Sequence, residues 1–159
     1  MNYKNIRYLL NERPKGMPED NCWVMDEEII TTLQNNEILI KADYLSIDPY
    51  MRGRMNDGMS YAAPVKLGEV MVGESVGRVI ESKSNKYKVG DLVTVHKGWQ
   101  TYIKANDSEA TILKVPDSDL PGSVFLGTLG MPGRTAFFGL NRVGMPKPGE
   151  TLVVSAASG

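Results

Sequence analysis

The chain has 159 residues, of which 42% are hydrophobic and 23% are charged, and its formal net charge is −1. This balance is typical of a globular chain of about one domain, and it excludes the basic stripe of a nucleic-acid-binding protein and the polybasic segment of a membrane anchor. Since no stretch approaches the roughly 18 consecutive apolar residues of a membrane helix, we expect neither nucleic acid nor membrane as a partner.

Residues 1–120 contain short strand-like runs separated by Gly, Pro, Asn and Asp. The clearest run is residues 37–46, in which the side chains alternate with a period of two. A longer run, residues 69–81, contains Gly73 and Gly77, which we interpret as bends in a curved sheet. The other predicted strands are residues 6–10, 22–25, 92–95, 98–105 and 111–115. Several short strands at this spacing predict a small, partly open barrel or sandwich.

The pattern changes after residue 120, where apolar residues recur at helical rather than strand spacing. Pro132 is placed to open a second helix and Gly144 to end it. Residues 151–154 then form a predicted buried strand that leads into small residues and glycine. Helix, turn, strand and glycine-containing loop, in this order, predict the beginning of a parallel α/β sheet. We therefore predict two units, residues 1–120 and residues 121–159.

The most distinctive run is YLSIDPYMRGRMNDG, residues 44–58. Asp48 followed by Pro49 predicts the start of a short helix, with the aspartate side chain capping a free N–H. The predicted helix carries Tyr50, Met51, Arg52 and Met55. A phenol, two thioethers and two guanidiniums suit the rim of a pocket for an apolar ligand with one anionic group. The alternative is a capped surface turn whose Met and Tyr side chains only pack on the barrel.

Two other stretches carry glycines. Residues 126–140, LGTLGMPGRTAFFGL, permit either a close backbone approach to a ligand or a tight corner between helices. Residues 151–159 place a strand before small residues and a glycine, an arrangement that binds pyrophosphate when a helix follows. The loop at Tyr61 is a candidate pocket lip, and the strand at Trp99 is expected to pack one face and border a cleft with the other.

Metal and disulfide chemistry are not expected. Cys22 is the single cysteine and His96 the single histidine, whereas a zinc site draws three or four ligands mostly from these residue types. A lone cysteine forms no internal disulfide, so a cytoplasmic location is expected. We interpret His96 as a surface or strand-end residue and Cys22 as a small buried hydrophobe.

Five runs occur in order along the chain: LSIDPYMRGRM, GEVMVGESVGRVIES, GDLVTVHKGWQTY, LGTLGMPGRTAFFGL and PKPGETLVVSAASG. Together they resemble the zinc-independent medium-chain dehydrogenase/reductase superfamily. The similar branch is the leukotriene B4 12-hydroxydehydrogenase/prostaglandin reductase type, with 2-alkenal and curcumin reductases. Zinc-dependent relatives carry a metal ligand in the segment of Asp48, Pro49 and Tyr50, where this chain has neither Cys nor His.

The resemblance implies the N-terminal part of a two-domain enzyme. Its fold would be mainly β, a GroES-like partly open β-barrel followed by the first helix and strand of a truncated Rossmann α/β domain. The implied reaction is reduction of the C=C bond of α,β-unsaturated ketones or aldehydes by hydride from NADPH, without metal. The fragment alone is expected to be inactive and the full-length protein to be a homodimer.

The resemblance also implies residue roles. Tyr50 would position the substrate, because a tyrosine of the absent half is given the enolate-stabilising role in the family. Arg52 would pair with a substrate carboxylate or, alternatively, with Asp48 or Asp57. The expected substrate-binding residues are Tyr50, Met51, Arg52 and Tyr61. The expected cofactor-binding residues are Pro49, Met51, Met131, Thr135, Ala156, Ala157, Ser158 and Gly159.

Two other functions remain open at this point. The same scaffold serves metal-free quinone reductases and alcohol dehydrogenases, which a substrate panel distinguishes from an enone reductase. A GroES-like barrel used only as a binding module, without catalysis, is the alternative of another class.

Overall fold

Seven strands run through residues 2–155, the part of the chain that this computed structural model describes. They are β1 (Tyr3–Leu10), β2 (Trp23–Ile30), β3 (Glu37–Leu45), β4 (Ser75–Ser82), β5 (Leu92–Val95), β6 (Tyr102–Asn106) and β7 (Ile112–Lys114). Strands β1 and β2 form an antiparallel ribbon, and the others form a five-stranded sheet in the order β6-β3-β4-β5-β7. The prediction of a mainly β, partly open barrel is confirmed.

The core explains why the predicted strands form. Antiparallel sheets with one buried face read as alternating apolar and polar residues. In β3, Ile38 and Ile40 are completely buried, and Leu39 between them is buried as well, in a separate cluster with Ile30 and Leu33. Together with β4 to β7, Ile38 and Ile40 build the main cluster, which consists of Ile38, Ile40, Val79, Val93, Val95, Ile103, Ala105 and Ile112.

The run at residues 69–81 forms a strand only from Ser75 onward. Its first half passes across the end of β1, where Leu10 N donates to Glu69 O at 3.0 Å and Met71 N donates to Tyr8 O at 2.9 Å. Residues 69–71 therefore have β1 as their neighbour, and regular pairing with β3 begins only at Ser75, the first residue of β4. The predicted bend at Gly77 is present, because this residue pairs with Ala42 beside a register shift in β3.

Helical structure follows residue 120. A 3-10 turn spans Gly122–Phe125, α2 spans Met131–Phe138, and a π-helical segment spans Gly139–Gly144. Pro132 lies in the first turn of α2 as predicted, whereas the first predicted helix is reduced to the 3-10 turn. The division at residue 120 coincides with this change from strands to helices, and two separate units stay a prediction.

Residues 151–154 form no strand, which corrects the prediction of a buried one. The side chains of Leu152, Val153 and Val154 are 59%, 83% and 64% exposed. A buried parallel strand needs a neighbouring strand for its backbone groups and an apolar layer over its side chains. Within residues 2–155 neither lies beside this segment.

Candidate active site

A cleft of about 330 Å³ lies between the end of β3 and the segment that leads into α2. Its lining residues are Tyr44, Leu45, Ser46, Asp48, Ser123, Leu126, Gly127 and Pro132. The cleft therefore brings together the two motifs that the sequence singles out, residues 44–58 and residues 126–140. A concave site between two elements, with a few polar groups among apolar ones, is typical of small-molecule binding.

The short helix α1 (Tyr50–Arg54) follows the cleft along the chain and begins where the Asp48-Pro49 pair predicts. The predicted cap by the Asp48 side chain is not formed. Pro49 occupies the N-cap position, and no side chain donates or accepts a capping hydrogen bond there. Instead the Asp48 carbonyl accepts a hydrogen bond from Met51 N at 3.1 Å. Asp48 is one of the residues that line the cleft, and its carboxylate does not cap the helix.

The Met side chains of α1 belong to the core rather than to the pocket rim. Met51 is only 4% exposed. The cluster beneath the helix consists of Leu10, Cys22, Met51, Met55, Val65 and Met71, with Trp23, Tyr50, Val72 and Trp99 packed against it. Packing on the barrel, the alternative reading of this motif, therefore describes both methionines. The interpretation of Cys22 as a small buried hydrophobe is confirmed.

Tyr50, the first residue of α1, has a polar side-chain group without a hydrogen-bond partner. Its hydroxyl oxygen is buried and makes no hydrogen bond with any described residue. Burial first, and then the nearby charge of Asp48, raise the pKa of Tyr50 to about 12. A phenol with this pKa stays protonated at neutral pH and is available as a donor. A buried donor without an acceptor is rare in native proteins and marks a place where a ligand atom fits.

This pKa gives a test of the Tyr50 environment. The folded state holds the phenol proton more tightly than the unfolded chain, whose pKa is 10.0. The contribution of Tyr50 to stability is therefore complete below pH 10 and declines as the pH rises toward about 12. In ultraviolet titration, the phenolate absorbance that Tyr50→Phe removes is expected to develop near the upper value. Development of this absorbance near pH 10 would contradict the buried site.

Glu74 is a residue near Tyr50 that sequence reasoning missed, whereas Arg54 is the second of the two guanidiniums expected at the pocket rim. After burial and Asp48, the charges that act on the Tyr50 phenol are Arg54, which lowers its pKa, and Glu74, which raises it. The signal for Glu74 was a single charge inside the apolar run VMVGESV. His96 is exposed as expected, but its ring centroid lies 6.3 Å from that of Tyr50.

Arg52 holds a loop rather than a carboxylate. Its Nε and Nη2 donate to Gly16 O at 3.0 and 2.8 Å, Nη2 also donates to Pro14 O at 3.2 Å, and Nη1 donates to Asn56 Oδ1 at 2.7 Å. The alternative ion pairs of Arg52 with Asp48 or Asp57 are not formed.

A second arginine completes this attachment of the β1–β2 loop to α1. Arg13, from the loop, donates to Met55 O at 2.8 Å and pairs with Asp57 at 3.7 Å. Arginines from both segments therefore fix the β1–β2 loop against α1.

Removal of the Arg52 guanidinium is expected to loosen this attachment. Arg52→Ala loses several charge-assisted hydrogen bonds and should lower the free energy of unfolding by about 1–2 kcal/mol. Arg52→Lys should recover little, because one ammonium does not match the fork that reaches both carbonyls. Thermal unfolding of the full-length protein measures the effect. Arg142→Ala, at an exposed position, is the control and should stay within about 0.5 kcal/mol. Equal stability of the Arg52 and Arg142 variants would contradict the role of Arg52 in attaching the β1–β2 loop to α1.

The other predicted substrate residue, Tyr61, is 85% exposed and lies in the loop after α1. It is not among the residues that line the cleft. Its contribution to the raised pKa of Tyr50 is the last and smallest of the charge effects. The structure therefore places Tyr61 near Tyr50 but outside the cleft wall.

The predicted cofactor residues divide into three groups. Pro49 is exposed and adjoins Asp48 of the cleft wall. Met131, which is 42% exposed, and Thr135 lie in the first turns of α2, next to Pro132 of the same wall. The Thr135 hydroxyl donates to Met131 O at 2.8 Å. Residues 156–159, Ala156, Ala157, Ser158 and Gly159, lie outside the described residues.

A second cavity, of about 370 Å³, shares Tyr44 and Leu45 with the cleft. It is mainly aromatic and apolar, and Trp23 and Trp99 stack in its wall with ring centroids 4.9 Å apart. The expectation that the strand at Trp99 borders a cleft is confirmed.

Residues 2–155 contain no group of three or more His, Cys, Asp and Glu side chains that is arranged to hold a metal ion. None of their helices is both long enough and apolar enough to span a membrane.

Comparison with known proteins places the chain among oxidoreductases. Residues 6–113 match the family model described as the N-terminal domain of oxidoreductase. NADPH-dependent curcumin reductase of Escherichia coli is 46% identical over 157 residues, which are 98% of this chain and 45% of that protein. The NADP(+)-dependent 2-alkenal reductase of Nicotiana tabacum is 44% identical over 127 residues, which are 79% of this chain and 36% of that protein.

A solved structure agrees with this placement. The crystal structure of CurA from Vibrio vulnificus in complex with NADPH is 43% identical and has a TM-score of 0.86, over 97% of this chain and 45% of that chain. The chain thus spans less than half the length of each of these relatives. The chain belongs to the oxidoreductase N-terminal domain family, in the zinc-independent medium-chain dehydrogenase/reductase branch that its motifs resemble.

Proposed function

We propose that this chain is the N-terminal part of an NADPH-dependent oxidoreductase that reduces the C=C bond of α,β-unsaturated ketones or aldehydes. The observation that carries the proposal is the Tyr50 hydroxyl, which is buried, protonated and without an acceptor, on a residue that follows Asp48 of the cleft wall by two positions along the chain. Support comes from two relatives whose names state the chemistry, an NADPH-dependent curcumin reductase and a 2-alkenal reductase.

The residues present fit a nicotinamide cofactor at one wall of the cleft. Pro49, Met131 and Thr135 are exposed and flank the lining residues Asp48 and Pro132. An exposed thioether and a proline ring suit the face of an aromatic ring, and the Thr135 hydroxyl suits a carboxamide. The orphaned hydroxyl of Tyr50 provides the polar counterpart for a substrate.

Met51 takes a smaller part in this proposal than the resemblance implies. Its side chain is buried in the cluster beneath α1, so it supports the site from below. The pyrophosphate loop that begins at Ala156 remains a prediction, as does the homodimer. The same proposal includes a cytoplasmic location for the protein and an active site without zinc.

When bound, NADPH supplies the hydride that reduces the substrate. The chain's own contribution is to bind the carbonyl group of the substrate and to hold it in place. As the β-carbon is reduced, negative charge develops on the carbonyl oxygen, and a fixed donor stabilises this charge. Tyr50 can donate because its phenol keeps its proton at neutral pH. Its buried position keeps water from competing for that hydrogen bond.

The test is a substrate panel on the full-length gene product, with NADPH oxidation as the readout. Hex-2-enal and benzylideneacetone are expected to be turned over, with the saturated carbonyl as product. Simple alcohols and quinones are the comparison substrates. Turnover of these and not of the enones would replace the proposal with an alcohol dehydrogenase or a quinone reductase. Absence of turnover on every class, with no binding of NADPH, would favour a non-catalytic binding module.

A further inference from the structure

Asp57 and Gly58 lie in the loop that follows α1, and they form the one Asp-Gly pair of the sequence. The side chain of Asp57 is 75% exposed. The space around Gly58 is open, because no atom lies within 4 Å of a Cβ placed on this residue. The pair therefore combines an accessible carboxyl group with a backbone amide that no side chain shields.

Few contacts hold this pair in place. Among the described residues the carboxylate of Asp57 has one partner, Arg13, whose Nη2 lies 3.7 Å from Oδ1. An exposed ion pair of this kind contributes little to stability. Within residues 2–155, Gly58 N donates no hydrogen bond. The amide nitrogen of Gly58 and the carboxyl carbon of Asp57 are therefore free to approach each other.

A second aspartate that precedes a small residue has the opposite surroundings. Asp107, which precedes Ser108, has a side chain that is only 9% exposed. Its carboxylate accepts a hydrogen bond from Ser84 Oγ at 2.5 Å and pairs with Lys86 Nζ at 3.7 Å. The amide of Ser108 is also engaged, because it donates to Asn106 Oδ1 at 3.0 Å. Both reacting groups are thus held, and Asp107 serves as a control within the same chain.

We propose that Asp57 is a site of spontaneous isoaspartate formation, a covalent modification of the main chain that needs no enzyme. Gly58 N attacks the side-chain carboxyl carbon of Asp57 in its protonated form. A C–N bond forms, and the carboxyl hydroxyl leaves as water together with the amide proton. The resulting succinimide ring then takes up one water molecule from the solvent. Opening at the side-chain carbonyl restores aspartate, whereas opening at the main-chain carbonyl gives isoaspartate, so no oxidant or reductant takes part.

The modification changes the attachment between α1 and the β1–β2 loop. Isoaspartate places one additional carbon atom in the main chain and moves the free carboxylate onto the Cα atom, so the ion pair with Arg13 is displaced. The far end of the loop is fixed, because Val65 N donates to Arg54 O at 2.8 Å. The added length therefore falls within the segment before Val65, which carries Tyr61.

The experiment incubates the full-length protein at physiological temperature and pH in water that carries the heavy oxygen isotope. Hydrolysis of the succinimide introduces one oxygen atom from the solvent, and isoaspartate is detected by enzymatic methylation of its free carboxylate. We expect peptide mapping to find the label and isoaspartate in the peptide of Asp57 and neither of them in the peptide of Asp107.

Three variants test the chemistry of the step. Asp57→Glu keeps the charge but has to close a larger ring, so the label at this position should be lost. Gly58→Ala should slow labelling several-fold, because a Cβ atom hinders the attacking nitrogen, although the open space around Gly58 accommodates the side chain. Asp57→Asn should accelerate labelling, because ammonia leaves the amide more readily than water leaves the carboxyl group at this pH.

Two results would overturn the inference. The first is a wild-type protein without label at Asp57 after an incubation that labels Asp57→Asn. The second is equal labelling of Asp57 and Asp107, because exposure and hydrogen bonding would then not distinguish the two sites. Neither result depends on the proposed reductase function, since the modification proceeds without substrate or NADPH.

Discussion

Tyr50→Phe in the full-length protein is expected to lower kcat/KM for enones about 100-fold, the usual cost of one donor to a developing oxyanion. Tyr50 carries a buried hydroxyl two residues after Asp48 of the cleft wall, and this hydroxyl has no partner to release before it binds a carbonyl oxygen. Because the charge on that oxygen grows during the reaction, the loss should fall on kcat more than on KM. Initial rates with hex-2-enal and benzylideneacetone measure both constants.

Tyr61→Phe is the matched control, since it removes the same hydroxyl from an exposed ring in the following loop. It is expected to change kcat/KM by less than about threefold, the range of a surface substitution that leaves the site intact. If Tyr50→Phe raised KM and left kcat unchanged, the residue would only bind the substrate. If both variants behaved like the wild type, the donor to the carbonyl would have to come from elsewhere.

The barrel was the most predictable part of the fold, for a physical reason. Alternation along residues 37–46 predicts a strand with one buried face, and the structure forms β3 there, beside the central strand β4, with Leu39 buried in addition to Ile38 and Ile40. Residues 69–74 were harder to read. They are apolar like a strand, yet their backbone groups bond to β1 and to Trp99 instead of to a long neighbouring strand. A local pattern does not reveal which partner satisfies the backbone.

The candidate site was predictable in its segments and less so in its side chains. The runs around Asp48 and Pro132 were identified from their turn chemistry, and the cleft joins them. The directions of the side chains along α1 depend on what lies beneath the helix, which the local sequence does not show. The sequence therefore assigns Met51 and Arg52 to a ligand, whereas Met51 packs in the core and Arg52 binds the β1–β2 loop. Glu74 enters only through contacts distant in sequence, which no local motif encodes.

Gly77 lies where two strands of the sheet approach closely, and Gly77→Ala is expected to destabilise the protein by about 3 kcal/mol. A Cβ atom at this position would lie 2.1 Å from the Lys41 carbonyl oxygen and 2.9 Å from the Ala42 Cα. Both are backbone atoms of β3, the strand that carries the cleft wall at its end, so no side-chain rotation relieves the clash. The central pair of strands has to separate beside the register shift that bends the sheet.

Gly53→Ala is the control that distinguishes this clash from the general effect of replacing a glycine. Gly53 lies in the middle of α1, and no atom lies within 4 Å of a Cβ placed there. Alanine at that position should stabilise the helix by about 0.5–1 kcal/mol, because it restricts the unfolded chain and favours helical backbone. The two variants should therefore shift the urea midpoint of the full-length protein in opposite directions. If Gly77→Ala kept the wild-type midpoint, β3 and β4 would pack less closely at Gly77 than the structure places them, and the bend would not depend on the glycine.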